Sequence, residues 1–323
     1  MSNVFVTGAS GFVGHALIDK MLTNSDYKIF AAVRKLVPDF SSAVEQWKYD
    51  GISSTTDWNI ALQGIDFIIH TAARVHIMSD TVHDPLEEFR AVNTIGTLNL
   101  ARQAANSGVK RFVYLSSIKV NGESTQLGMP FTEDDKFIPS DPYALSKYEA
   151  ELGLLKLAKK TQMEIVIIRP PLVYGPDVKA NFLSMMKWLN KSIPLPFGAI
   201  YNKRSLVALD NLVDLILTCI DHPEAANQVF LVSDGEDLSI TELLNRVASA
   251  LGKKPKLLPV NQQLLELGLK LIGKKDLAQR LCGSLQVDIS KAKQILNWTP
   301  PVSVDEGLRK TAEAFKSSRK SSR

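Results

Sequence analysis

The sequence has few of the residues that build disulfide frameworks and metal sites. Its only two cysteines, Cys219 and Cys282, match neither a disulfide scaffold nor zinc-ligand spacing. His70, His76 and His83 are not spaced as ligands on one helix, so we expect no metal site. This cysteine usage favours a reducing compartment.

Long apolar runs and a strong charge of one sign are also missing. No stretch approaches the roughly 20 apolar residues of a membrane-spanning helix, and the net charge is only +4 at pH 7. Without a patch of basic and aromatic residues, this charge gives no support for nucleic-acid binding. The first apolar run begins almost at Met1 and leaves no room for a signal peptide, so we expect a cytoplasmic protein.

A glycine-rich turn lies near the start of the chain. Residues 4–6 form a short apolar run that predicts a buried strand, and residues 12–22 have the periodicity of a helix. Glycines at this junction let the backbone turn sharply and approach a ligand. The following helix N-terminus attracts a pyrophosphate. The predicted dinucleotide-binding residues are Gly8, Ser10, Gly11, Phe12, Val13 and Gly14.

Further cofactor contacts are predicted where the next strands end. Residues 28–33 read as a buried strand, and Arg34 follows it directly. A carboxylate at this point binds the free ribose hydroxyl of NAD, whereas a guanidinium suits the 2′-phosphate of NADP. Alternatively, Arg34 is a solvated loop cation. Asp50 is predicted near the adenine, and the small Ala72 and Ala73 let the cofactor pass close. We therefore expect NADP(H) or NAD(H).

Strands and helices alternate through the first half of the chain, with predicted strands at 28–33, 66–70, 111–115 and 164–169. Residues 87–107 read as one long amphipathic helix. This alternation predicts an α/β fold with a doubly wound parallel sheet of the Rossmann type. We expect a dinucleotide-binding domain of residues 1–172 plus about 205–232. A smaller C-terminal α/β substrate domain is expected from residues 173–204 and 233–315, followed by a disordered tail, 316–323.

Three residues form the predicted catalytic set. Ser117 follows a strand, while Tyr143 and Lys147 are four residues apart and share one helical face. An ammonium near a phenol favours the phenolate, so we expect Lys147 to lower the pKa of Tyr143. Tyr143 would then act as general acid or base near neutral pH, with Ser117 orienting the reacting oxygen. A lone Tyr-Lys pair is equally compatible with an ordinary surface helix. The preceding glycine turn and Ser116-Ser117 favour catalysis.

Residues 264–272 are rich in leucine and end at Gly273-Lys274-Lys275. Such a helix is compatible with a membrane surface. We favour a buried helix of a small lid domain.

Taken in order, these motifs resemble the extended short-chain dehydrogenase/reductases of the NAD-dependent epimerase/dehydratase group. The resemblance covers nearly the whole chain and includes the glycine turn, Asn93, Ser117, Tyr143-x-x-x-Lys147, 169–176 and 296–300. By itself, Asn93 is either a satisfied core amide or an active-site strut. The resemblance places Asn93 and Pro170 at the cofactor, together with Tyr143 and Lys147. It also implies substrate contacts through Asn181, with Phe182 beside the nucleotide base, and diphosphate contacts through Arg204 and Arg280.

The resemblance implies an enzyme acting at C4 of a UDP-hexose, with a homodimer as the expected assembly. We favour a 4-keto UDP-sugar reductase of surface polysaccharide synthesis. The alternatives are a UDP-hexose 4-epimerase that retains its NAD, and a non-catalytic dinucleotide sensor. Three departures from the family pattern weigh against the epimerase: Arg34 replaces a carboxylate, Leu172 replaces an asparagine, and Lys119 replaces a small hydroxyl residue.

Overall fold

A computed structural model describes residues 1–75, 84–271 and 273–321. His76 and His83, considered above as metal ligands, lie outside these residues. Among the described residues, the structure shows no cluster of ligand side chains suited to a metal ion. No helix in the same ranges combines the length and apolar character needed to cross a bilayer.

Ten strands are present in the described ranges. They are β1 Ser2–Thr7, β2 Tyr27–Val33, β3 Val44–Lys48, β4 Phe67–His70, β5 Arg111–Leu115, β6 Glu164–Arg169, β7 Leu172–Tyr174, β8 Arg204–Ala208, β9 Val229–Leu231 and β10 Asp237–Leu238. Seven of them form a parallel sheet in the order β3-β2-β1-β4-β5-β6-β9. This confirms the doubly wound sheet. Because its strands run in one direction, the loops after β1, β4, β5 and β6 meet at one edge.

The described helices alternate with these strands. They are α1 Phe12–Leu22, α2 Pro85–Phe89, α3 Thr97–Asn106, α4 Pro142–Ala158, α5 Ala180–Asn190, α6 Leu209–Asp221, α7 Ile240–Ala250, α8 Gln262–Leu271, α9 Lys275–Cys282, α10 Ser290–Leu296 and α11 Val304–Ser321. A π-helical segment, Arg90–Gly96, joins α2 to α3. The single helix predicted for residues 87–107 is therefore wider in its middle. Such widening is frequent at functional sites.

Helices cover both faces of the large sheet. On one face, α1 and α6 pack side chains such as Leu17 and Leu212 against the strands. On the other, α3 and α4 bury Leu100 and Leu154. Each such side chain contributes about 1.5–3 kcal/mol when it leaves water. The strands read as continuous apolar runs because both of their faces are buried.

A second sheet of three strands, in the order β10-β8-β7, lies in the C-terminal half of the described chain. Its core includes Phe182 of α5, Leu243 of α7 and Leu308 of α11. Residues 205–208, assigned above to the dinucleotide-binding domain, pair with β7 and β10. The chain returns to the large sheet through β9.

Two local predictions differ from the structure. The last helix continues through Ser321, so residues 316–321, predicted to be disordered, extend α11. Helix α8 buries none of its residues, so the prediction of a buried lid helix at 264–272 is wrong. Leucine periodicity gives a helix its apolar face but does not say what that face packs against.

Candidate active site

The glycine turn lies at the carboxyl end of β1. Gly8 has a φ of +70°, and a Cβ there would lie 2.6 Å from the backbone nitrogen of Ala72. A Cβ on Gly14 would lie 2.2 Å from the carbonyl oxygen of Gly8. Only glycine fits at these two positions. Gly11 caps α1 without a side-chain hydrogen bond, and the first turn holds no acidic residue. The first N–H groups of the helix are therefore available to an anion.

The residues predicted around the adenosine lie at the same edge of the sheet. Arg34 is exposed directly after β2, and Asp50 is exposed shortly after β3. The Tyr49 N–H donates to the carbonyl oxygen of Val33 at 3.0 Å, which holds these two strand ends together. Burial raises the pKa of Tyr49, and the Arg34 charge opposes that shift. The structure therefore brings Arg34 near residues 49–50. Ala72 and its neighbour Ala73 follow β4, half-buried.

The catalytic set comes from two elements. Ser117 follows β5, and its hydroxyl lies near enough to the Tyr143 phenol to lower the phenol's pKa. The Asp141 carboxylate caps α4 by accepting from the Ala144 N–H at 2.9 Å, and Pro142 is the first residue of the helix. Tyr143 therefore lies in the first turn of α4. The Lys147 Nζ donates to the Leu115 carbonyl oxygen at 2.9 Å.

Burial dominates the ionisation of this set. It raises the pKa of Tyr143 to about 12, with the Asp141 charge acting in the same direction and Ser117 opposing. Burial also lowers the pKa of Lys147 to about 7, against the Glu151 charge. We predicted that Lys147 would lower the pKa of Tyr143. This prediction is wrong for the protein without a bound ligand. The desolvation of the phenol outweighs an ammonium that is directed at Leu115 and the face of the Tyr114 ring.

Asn93 is buried in the π-helical segment, and its side chain connects two parts of the site by hydrogen bonds. Its amide oxygen accepts from the Arg74 N–H at 2.8 Å, and its amide nitrogen donates to the Arg74 carbonyl and to Ser146, each at 3.0 Å. Ser146 in turn donates to the Tyr143 carbonyl at 2.7 Å. Asn93 thus connects the loop after β4 to the first turn of α4.

Pro170 is buried and also supports the catalytic set. Its carbonyl oxygen accepts from the N–H of Ile118, the residue after Ser117, at 3.0 Å.

His70 belongs to the site, although the sequence motifs did not single it out. Its two ring nitrogens contact the Thr7 and Thr97 hydroxyls at 2.6 and 2.9 Å, and its ring stacks on Tyr114. Burial lowers the pKa of His70 to about 3, and the Lys147 charge adds to this shift. A buried strand that ends in histidine was the available signal. The threonine partners are distant in sequence.

We expect His70 to make stability dependent on pH. The folded protein keeps this ring neutral down to a pH of about 3, whereas the unfolded chain takes up a proton near pH 6.5. The unfolded state therefore binds more protons in this interval, and stability falls as the pH drops, by up to about 1.4 kcal/mol per pH unit. Urea unfolding of His70→Gln and of the exposed-site control His15→Gln should separate this effect from other titrations. Equal pH slopes for wild type and His70→Gln would contradict it.

On the substrate side, two guanidinium groups approach each other. Arg204 starts β8 and donates to the Gly283 carbonyl oxygen at 2.9 Å, and Arg280 lies on α9. Burial and the nearby Arg280 charge lower the pKa of Arg204. Among the described residues, neither has an acidic side chain within salt-bridge distance. Asn181 is exposed at the start of α5, whereas Phe182, expected beside a base, stacks on Tyr174 in the core.

These features define a class. A parallel sheet with a glycine turn at β1, and a Ser-Tyr-Lys set at the adjacent strand ends, make the chain an extended short-chain dehydrogenase/reductase. The chain belongs to the NAD dependent epimerase/dehydratase family, whose family model matches residues 4–233. It is an enzyme, and a nicotinamide dinucleotide is its cofactor, as the sequence predicted.

Similar proteins agree with this assignment. The chain is 51% identical over 314 residues to a UDP-glucose 4-epimerase of Vibrio cholerae, covering 97% of this chain and 95% of that protein. Two solved structures share the fold at 23% identity, with TM-scores of 0.79 and coverage of 98% of this chain and 99% of theirs. They are a UDP-glucuronic acid 4-epimerase of Bacillus cereus with NAD and a UDP-glucose 4-epimerase of Thermotoga maritima with UDP-glucose.

Proposed function

We propose that the protein is a UDP-hexose 4-epimerase that retains NAD, with UDP-glucose as the first substrate to test. The main support for this proposal is the 51% identity to the Vibrio cholerae UDP-glucose 4-epimerase over nearly the full length of both chains. This reverses our preference for a 4-keto sugar reductase. That preference depended chiefly on Arg34, which is an exposed side chain at the edge of the site.

The described residues fit a dinucleotide. The turn at Gly8, Gly11 and Gly14 leaves room for the pyrophosphate, and the uncapped start of α1 offers N–H groups to it. A nicotinamide dinucleotide held here would supply hydride transfer to and from C4 of the sugar. Lys147 is positioned to hold the adjoining ribose. We place the nucleotide sugar between the large sheet and the smaller C-terminal sheet.

Tyr143 moves the proton in this proposal. It takes the proton of the C4 hydroxyl as hydride leaves, and gives a proton back when the hydroxyl is restored. Ser117, which lies near the phenol and lowers its pKa, is assigned to orient the reacting oxygen. A phenol with a pKa raised to about 12 is a weak acid at neutral pH, so positive charge near the site must favour the phenolate.

The substrate diphosphate is assigned to Arg204 and Arg280. Bringing two cations together is unfavourable unless an anion lies between them. Burial is the main cause of the lowered pKa of Arg204, and the Arg280 charge adds to it. This second contribution shows that the two cations are close together, which supports an anion site. Guanidinium groups pair well with phosphate because they donate two parallel hydrogen bonds. Asn181, exposed at the nearby α5 N-terminus, remains our prediction for the nucleotide base.

Arg204→Ala should weaken UDP binding strongly. Losing a charge-assisted hydrogen bond costs on the order of 1.5–3 kcal/mol, or about 10- to 150-fold in Kd. Calorimetric titration with UDP measures this effect. Arg246→Ala is the matched control, because Arg246 pairs with Glu236 and Asp305 on the same lobe. Unchanged UDP affinity in Arg204→Ala would place the diphosphate elsewhere.

The epimerase proposal is tested by the purified protein itself. Heat or acid denaturation should release NAD in a near-stoichiometric amount. The native enzyme should also convert UDP-glucose to UDP-galactose with no added cofactor. A protein that purifies empty and consumes reduced cofactor in proportion to product would be a reductase instead.

Arg34 remains relevant to cofactor preference. Its exposed guanidinium after β2 should favour a 2′-phosphate, so Arg34→Ala should weaken NADPH binding by about tenfold. NADH binding should change little. The matched control is Lys35→Ala, an exposed cation at the next position. Titration of the dinucleotide-free protein with both cofactors measures the ratio, and an unchanged ratio would make Arg34 a solvated loop cation.

We also propose a homodimer formed through the helices that follow Asn93 and Tyr143. Ile95 in the π-helical segment and Leu152 on α4 are 42% and 51% exposed. Burying such side chains against a second copy would be favourable. Sedimentation of Leu152→Glu against wild type tests this assembly.

A further inference from the structure

Helix α8 exposes a leucine stripe that nothing in the described chain covers. Leu264, Leu267 and Leu271 are 65%, 55% and 78% exposed. Their spacing of three and four residues puts them on one helical face. Leu258, in the loop before the helix, is also exposed. Contiguous exposed apolar surface of this kind marks an interaction site.

The helix lies on the surface of the protein. None of its residues is buried, and Leu265 and Leu269 on its other side are only half-buried. At its start, the Gln262 side chain accepts from the Tyr201 N–H at 3.2 Å and donates to the Cys282 carbonyl at 3.1 Å. The stripe can therefore meet a partner without any change in the core.

The surrounding charge is strongly positive. Segments 178–209 and 252–275 together contain eleven Lys or Arg residues and a single acid, Glu266, in a chain with a net charge of only +4, so the rest of the sequence is acidic. Of the eleven, Lys203 pairs with Glu242 at 3.5 Å and Arg204 is assigned above to the diphosphate, which leaves nine. Lys253, Lys254 and Lys256 are exposed in the loop that leads into α8. Glu266 pairs with Lys270 at 3.5 Å.

We propose that the leucine stripe of α8 and the lysines before it dock the enzyme on an anionic lipid bilayer. Leucine side chains enter the boundary between headgroups and acyl chains, while lysines are attracted to negatively charged headgroups. A second copy fits less well, because two such basic segments repel each other. A nucleic acid would leave the leucines in water. This proposal is independent of the substrate assigned above.

Sedimentation of the full-length enzyme with vesicles tests the proposal. We expect binding to an equimolar mixture of phosphatidylcholine and phosphatidylglycerol, and much weaker binding to phosphatidylcholine alone. Raising the ionic strength from about 0.01 M to about 1 M shortens the screening length from about 30 Å to about 3 Å and should release most of the protein. Failure to bind the mixed vesicles at low salt would overturn the proposal.

Two sets of variants separate the apolar and charged contributions. Leu264→Gln, Leu267→Gln and Leu271→Gln together should lower the partition coefficient at least about tenfold, because the apolar insertion is lost. Lys253→Gln, Lys254→Gln and Lys256→Gln should lower it by about fivefold per lysine, on anionic vesicles only. Turnover without vesicles should be unchanged in both, which shows that they fold.

Matched controls replace exposed residues outside α8 and the loop before it. Ile60→Gln with Leu127→Gln replaces equally exposed apolar residues, and Lys159→Gln with Lys160→Gln replaces exposed lysines at the end of α4. Control variants should bind vesicles as wild type does. Equal losses in control and α8 variants would overturn the proposal. It would also be overturned by leucine-dependent self-association in the absence of lipid, or by equal binding to duplex DNA.

Discussion

Tyr143→Phe should lower turnover by about 10²–10⁴-fold, the usual contribution of a positioned general acid or base, while the fold and the bound dinucleotide are kept. The ring lies edge-on to Phe89 with 5.8 Å between centroids, and phenylalanine preserves this packing. Only the hydroxyl, whose pKa Ser117 lowers, is lost. The loss should therefore be confined to the chemical step.

Steady-state turnover of UDP-glucose, together with the dinucleotide content of the purified variant, measures the result. Tyr148→Phe is the matched control. It removes the hydroxyl of a tyrosine in the next turn of the same helix, away from Ser117. Near wild-type turnover in Tyr143→Phe would remove Tyr143 from its catalytic role. A variant without dinucleotide would show that the hydroxyl acts in binding instead.

Glu151→Ala should cause the largest loss of stability among single substitutions in α4. The Glu151 carboxylate accepts from the Arg169 guanidinium at 2.6 and 3.0 Å, and the two side chains are only 2% and 9% exposed. Removing one partner of a buried pair leaves an uncompensated charge, which costs about 3–5 kcal/mol. Arg169 would keep only neutral partners such as the Asn121 side-chain oxygen at 3.0 Å.

Urea unfolding measures this cost, and Glu149→Ala is the control on the same helix. Glu149 pairs with Arg90 at 2.6 Å, but both side chains are about one-third exposed, so its loss should have a far smaller effect. Similar unfolding free energies for the two variants would show that the buried pair adds little to stability. Glu151→Ala should also lower the pKa of Lys147 further, since Glu151 opposes the effect of burial there.

Local patterns in the sequence carried much of the fold and the catalytic set. A strand, a glycine turn and a helix follow one another within about twenty residues, and only glycine suits the positive φ at Gly8 and the close contact at Gly14. Tyr143 and Lys147 share a helical face because of their spacing alone. Alternating strands and helices implied the parallel sheet, because a parallel connection requires a crossover. These features depend on residues that are near one another in the chain.

Contacts between distant residues were decided only by the tertiary structure. The sequence could not show that Lys147 would reach the Leu115 carbonyl, that His70 would lie between Thr7 and Thr97, or that burial would raise the pKa of Tyr143. Neither could it show that the leucines of α8 would face outward. Periodicity defines which face of a helix is apolar, but the environment of that face depends on how segments tens of residues apart pack together. Desolvation and charge proximity, which set these pKa values, come from that packing.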